Sequence, residues 1–242
     1  MCLLICIRSA DGSLWVAANR DEAYDRPARR PFVWDRRPAV LAGRDERAGG
    51  TWLAVNTAGV VAAVTNRPTA GGDEPSRPTR GLLPLLACSA DSAGGAREAL
   101  LEHLGATRHN GFNLFVADAR DAFVIESPAG QALPRPVGPG LHAVANGEWD
   151  DASDPRVARA MALLSSVPGA ADAASTSEAL ATACRDHAEL GGGLSLCLHG
   201  RSAGTVSSTI LSIDPGGVLG RYLHTAAAPC RTGYVDLADM LA

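Results

Sequence analysis

Pairs of short alternating segments joined by tight-turn residues constrain this chain more than any other feature. CLLICIRS and LWVAANRD flank ADG, TWLAVN and VVAAVTN flank TAG, and FNLFVAD and AFVIESP flank ARD. GLSLCLHG and TVSSTILSID flank RSAG, and DPGG then leads into VLGRYLH. Two-residue alternation bounded by such turns is the pattern of antiparallel hairpins. Helical patterns fall between them: TRGLLPLLACSA, in which Pro84 marks a kink or a first turn, GGAREALLEHLG, SDPRVARAMALLSS and STSEALATACRDHAEL. Asp154 followed by Pro155 suits a helix start, and Ser175 with Glu178 has capping-box spacing. Helices grouped between antiparallel hairpins predict an α+β layered protein, not a parallel α/β sheet. No linker divides the chain, so residues 1–242 read as a single domain. The polar stretch RPTAGGDEPSRPT (67–79) reads as a surface loop long enough to serve as a lid.

Charge removes some functions. A net charge of −4 with no basic block argues against a nucleic-acid partner. No apolar run approaches the roughly 18 residues of a membrane span. CLLICI has no basic segment before it, so it reads as a buried strand and the expected location is cytoplasmic. The six cysteines form no C-x-x-C pair, and no metal-ligand spacing links the six histidines, so neither a disulfide framework nor a metal site is expected.

The first hairpin carries the chemistry. A tight turn centred on Asp11-Gly12 places Cys2 opposite Asp21 and turns Arg20 to the other face. A loop of odd length would instead bring Cys2 to Arg20 or Glu22. With Met1 removed, Cys2 carries a thiol and a free α-amine, whose ordinary pKa of about 7.7–8.0 suits it as base for its own side chain. A carboxylate at Asp21 can hold and tune the amine, while a cation such as Arg20 must offset its effect on the thiol. The plain alternative is a strand end with solvated acids.

ANRDE (18–22) resembles the signature of the NRDE family, also called the transport and Golgi organisation protein 2 family. The resemblance continues in order through GGTWLAVNTAGVVAAVTNR (49–67), HNGFNLFVAD (109–118), LHAVANGEWDDASDPRV (141–157) and SSTILSID (207–214). More distantly the chain resembles the cysteine N-terminal nucleophile (Ntn) amidases, such as bile-salt hydrolases and penicillin V acylases. That likeness implies a four-layer αββα sandwich of two antiparallel sheets. It also implies Cys2 as nucleophile, Asp21 as its orienter, and Asn66 and Asn146 as oxyanion donors. The amidases carry an arginine three residues before the aspartate. Here that position is Ala18, and Arg20 is the candidate replacement. Asn19, Glu22 and His142 are candidates for contact with substrate.

Two functions follow. The first is a cysteine hydrolase of a linear amide or acyl substrate, requiring no cofactor. The second is a non-catalytic haem or lipid/acyl-CoA carrier on the same fold, with Cys2, His142 or Cys6 available to haem iron. A purely structural interaction module is a third, weaker reading. Sequence leaves the oligomeric state open.

Overall fold

The computed structural model describes residues 2–69, 71–128, 133–167, 172–192 and 194–241. In chain order its strands begin with β1 (Cys2–Arg8), β2 (Leu14–Ala23), β3 (Ala28–Trp34), β4 (Val40–Asp45), β5 (Leu53–Asn56) and β6 (Val61–Asn66). Helices α1 (Leu82–Ala87) and α2 (Ala93–Ala106) follow, then β7 (Phe112–Ala117), β8 (Ala122–Ser127), β9 (Leu133–Pro136) and β10 (Gly140–Val144). Helices α3 (Pro155–Leu164) and α4 (Ala173–Cys184) precede β11 (Ala203–Ile213), β12 (Leu219–Thr225) and β13 (Val235–Asp236). One sheet runs β10-β1-β2-β11-β12-β13 and the other β3-β4-β5-β6-β7-β8-β9, antiparallel throughout.

Alternation along each strand sorts the apolar residues into three layers of core. Leu4, Cys6, Leu14 and Val16 of the first sheet meet Leu41, Leu53, Val55 and Phe115 of the second. Leu3, Ile5, Ile7 and Ala17 point the other way, under Val157 and Leu164 of α3 and Leu180 of α4. Val40, Ala54, Ala62 and Leu114 of the second sheet lie under Leu83 of α1 and Leu100 of α2. Both sheets are therefore covered on both faces, which is the four-layer αββα sandwich. Burying each large side chain contributes about 1.5–3 kcal/mol, so all three interfaces matter to the fold.

The register of the first hairpin differs from the even-loop expectation. Arg8 pairs with Leu14, and Cys2 pairs with Arg20 rather than Asp21. Ser9 N–H donates to the Ser13 carbonyl across three intervening residues, and Gly12 takes φ +95°. An odd loop ending in a left-handed glycine shifts the pairing by one, which exchanges the faces of every later side chain. A Cβ at Gly12 would sit 2.4 Å from the Ala119 carbonyl oxygen, so the turn is also fitted to the neighbouring β7–β8 turn.

Two further expectations are corrected. Segment 194–200 forms no strand, apart from an isolated bridge between His199 and Gly204. Side chains occupy its backbone instead: the Leu196 carbonyl accepts from Asn19 and Arg156, and Leu198 N–H donates to Thr205 Oγ1. Helix α4 starts at Ala173, two residues before Ser175, and its cap is Asp172, which accepts from the Ala174 and Ser175 amides. Asp154 caps α3 with Pro155 at its first turn, as expected.

Candidate active site at Cys2

Cys2 is half-buried and lines a solvent-open cleft with a cavity volume of about 100 Å³. Its pairing with Arg20 puts that guanidinium on the same side of the sheet as the thiol, contrary to the even-loop expectation. Arg20 lies 4.5 Å over the Trp52 ring and 3.5 Å from Asp45 Oδ2, and it is 5% exposed. Asp45 is the hub of this wall. Its Oδ2 also accepts from Arg26 Nε at 2.7 Å, and its Oδ1 accepts from the Arg47 and Ala48 amides. Burial works against ionisation of Asp45, but the Ala48 amide, Arg26 and Arg20 outweigh it and hold the carboxyl below its ordinary value.

Asp21 belongs to the opposite face of β2. Its Oδ2 accepts from Arg156 Nη2 at 2.7 Å and its Oδ1 accepts from Thr205 Oγ1 at 2.6 Å. Burial pushes its pKa up, against the pull of Arg156 and the Thr205 hydroxyl. Its backbone amide faces Cys2 and hydrogen-bonds the sulfur. Burial likewise raises the Cys2 thiol pKa. The Asp21 charge adds to that rise, while the Asp21 amide and Arg20 oppose it.

Arg156 is the residue that sequence reasoning missed. It lies in the first turn of α3, where the helix dipole disfavours a cation, and that misplacement is the signal that could have found it. It is 2% exposed, reaches both Asp21 and the Leu196 carbonyl, and leaves Nε and Nη1 without a hydrogen bond. Two arginines thus flank the Cys2–Asp21 segment of the first hairpin. Arg20 faces the thiol and Arg156 faces its neighbouring carboxylate.

The other candidates divide. Asn66 ends β6 and lines the cleft. Asn146 Nδ2 donates to the Asn66 carbonyl at 2.6 Å, which ties the two loops together and leaves the amide its second N–H. Glu22 lines the cleft beside Arg26, 3.6 Å away. Asn19 lies fully buried under α4, bonded to the Cys184 and Leu196 carbonyls, away from the cleft. His142 pairs in register with Cys6; its Nδ1 meets Asp150 Oδ2 at 2.7 Å and its Nε2 the Gly138 carbonyl at 3.0 Å. Cys6 is buried between the sheets. Of the three side chains considered for haem, Cys2 alone lines this cleft.

The cleft rim comes from two loops closed on one another. Thr51 N–H donates to the Gly81 carbonyl, and a Cβ on Gly50 would stand 2.4 Å from the Gly81 carbonyl carbon. The described part of segment 67–79 is anchored to the body. Arg80 bridges Asp73 and the Gly111 carbonyl, and Asn110 exchanges hydrogen bonds with the Glu74 backbone.

This architecture is that of the Ntn hydrolases. The conjugated bile acid hydrolase from Clostridium perfringens, solved as a C2A mutant, superposes with a TM-score of 0.63 at 12% identity, covering 100% of this chain and 94% of that one. Penicillin V acylase from Agrobacterium tumefaciens gives 0.64 at 13% identity, covering 98% and 86%. The N-acylethanolamine-hydrolyzing acid amidase ortholog from Caenorhabditis elegans gives 0.59 at 14%, covering 97% and 99%. At such identities the likeness establishes the fold alone.

Sequence supplies the family. Residues 1–190 match the family model Transport and Golgi organisation 2, and the chain belongs to that family. The mouse Transport and Golgi organization 2 homolog is 34% identical over 145 residues, 55% of this chain and 50% of that protein. The human homolog is 33% identical over 142 residues, with the same shares. The match thus spans about half the length of these curated relatives.

Proposed function

We propose that this chain is a cysteine hydrolase of the N-terminal nucleophile type, acting on a linear amide or acyl substrate. The observation that carries the reading is the placement of the Cys2 thiol on a solvent-open cleft, between the Arg20 guanidinium and the Asp21 amide.

An ordinary thiol is mostly protonated at neutral pH, and burial of Cys2 adds to that. A standing thiolate is disfavoured at neutral pH, so the proton leaves as the sulfur attacks, and the α-amine freed by removal of Met1 receives it. Sulfur bonds to the substrate carbonyl carbon, and the negative charge moves to the carbonyl oxygen. Asn66 and the second N–H of Asn146 are the donors for that oxyanion, a contribution typically of about 2.7–4 kcal/mol per donor. The ammonium then protonates the leaving group as the tetrahedral adduct collapses to a thioester. Water, deprotonated by the same amine, cleaves the thioester and restores the thiol. Asp21 acts as a positioning residue, fixed by Arg156 and Thr205, and Arg20 offsets the negative field at sulfur.

The test is intact-mass analysis before and after a limiting cysteine-directed acylating probe at neutral pH, followed by a screen of acyl amides. Loss of Met1 and one fast adduct mapping to Cys2 are expected. A retained Met1, or a Cys2 no faster than the remaining thiols, would sink the hydrolase reading.

A further inference from the structure

Away from the cleft, four side chains that no sequence spacing links come together. His187 follows α4, Cys197 and His199 lie in the loop before β11, and Cys230 lies beyond β12. Their ligand atoms all lie within 4.8 Å of one another. Cys197 Sγ is 3.8 Å from Cys230 Sγ, and His199 Nε2 is 3.7 Å from the first sulfur and 3.3 Å from the second. A tetrahedron with zinc–sulfur bonds of about 2.3 Å and zinc–nitrogen bonds of about 2.0–2.1 Å has S···S edges near 3.8 Å and S···N edges near 3.5 Å. The spacing of these three atoms is thus that of three corners of a tetrahedral shell, with the His187 ring nitrogen within 4.8 Å of each.

We infer that His187, Cys197, His199 and Cys230 form a structural Zn²⁺ site of the Cys₂His₂ type. The donor set favours this metal, because paired thiolates and imidazoles suit zinc and exclude the hard cations magnesium and calcium. Four protein ligands close the shell, so the site is structural and leaves no position for substrate. The backbone already holds the ligands in place. Cys197 N–H donates to the Asp186 carbonyl, beside His187, and Arg185 Nε donates to the Pro229 carbonyl, beside Cys230. Cys197 is buried, whereas His187 and His199 are exposed, which gives an ion a route in. On binding, each thiol gives up its proton, so one Zn²⁺ displaces two H⁺ and the two thiolates neutralise the ion. Three of the four ligands lie beyond the residues that the family model matches.

The site is independent of the proposed hydrolase chemistry and is tested without any substrate. The full chain, reduced and stripped with a chelator, is titrated with Co²⁺ and then with Zn²⁺. One Co²⁺ per chain is expected, with the intense visible bands of tetrahedral cobalt and a sulfur-to-cobalt charge-transfer band. Zn²⁺ should bleach both, and its binding to the stripped protein should release two protons. Cys2→Ala should bind unchanged. Cys230→Ser should bind at least about 100-fold more weakly, and His187→Asn at least about tenfold, with circular dichroism confirming that each is folded. Because His187 is exposed, its variant keeps the test decisive if Cys230→Ser fails to fold. The inference is overturned by octahedral cobalt only, by a tetrahedral spectrum that survives both ligand variants, or by a spectrum lost in Cys2→Ala. A Cys197–Cys230 disulfide whose reduced form takes up no cobalt would also overturn it.

Discussion

Arg156 and Asp21 stand 135 positions apart in sequence, yet their side chains meet at 2.7 Å with exposures of 2% and 3%. Breaking one half of such a pair strands the other charge in the interior, typically at about 3–5 kcal/mol. Arg156→Met should destabilise the chain by that amount in urea unfolding. Asp21→Asn combined with Arg156→Met should recover most of the loss while leaving the Cys2 chemistry impaired. Independent, additive costs from the two substitutions would contradict the pairing.

Cys2→Ala should remove reaction with an acylating probe while shifting the unfolding free energy by no more than about 1 kcal/mol. Burial pushes the thiols of Cys6, Cys88 and Cys184 up, the last to about 11, so those three should stay slow. Exposed Cys230 is the natural competitor. Peptide mapping in a Cys230→Ser background, with and without the Cys2 substitution, separates the two.

Arg20 faces the Cys2 thiol and lowers its pKa. Arg20→Met should therefore slow the reaction of Cys2 with the probe at neutral pH and move its pH profile upward, since the opposite charge nearby favours the thiolate. An unshifted profile would mean that Arg20 serves the Trp52 and Asp45 contacts alone.

His142 is held between the Asp150 carboxylate and the Gly138 carbonyl, two acceptors to which both ring nitrogens can donate only when the ring is protonated. The hydrogen bond to Asp150 raises its pKa above the unfolded value of about 6.5. The sign follows from proton linkage: the stabilisation is full below about pH 6.5 and is lost as pH rises through the folded value. His142→Gln should cost more at pH 5.5 than at pH 8.5 in thermal unfolding. Equal losses at both would contradict the charged pair.

Much of this was legible in the sequence. The opening hairpin, the paired strands β5–β6 and β7–β8, the cap of α3 and the layered class all follow from local alternation and turn chemistry. What escaped was set by distant contacts. Loop parity in the first hairpin pairs Cys2 with Arg20 in place of Asp21, and Gly12 of that loop packs against Ala119, a contact the local sequence does not show. Strands β3 and β4 flank an Arg- and Pro-rich turn, where alternation is weak. The Cys/His cluster joins residues at uneven separations, so no motif announces it. Asn19 and His142 are polar because they satisfy buried backbone or neighbouring groups, which one sequence cannot distinguish from a role at the cleft.

The topology has a consequence for the order in which the molecule is made. Strands β1 and β2 sit in mid-sheet, flanked by β10 on one side and β11 on the other. The β1–β2 hairpin is thus held by strands translated more than a hundred residues later. Until Arg156 and Thr205 emerge, Asp21 has neither of these partners, and the nascent chain carries its cysteine without the surroundings that would tune it. The wall around Cys2 is therefore completed only when segments far along the chain have joined the sheet, a consequence of strand order.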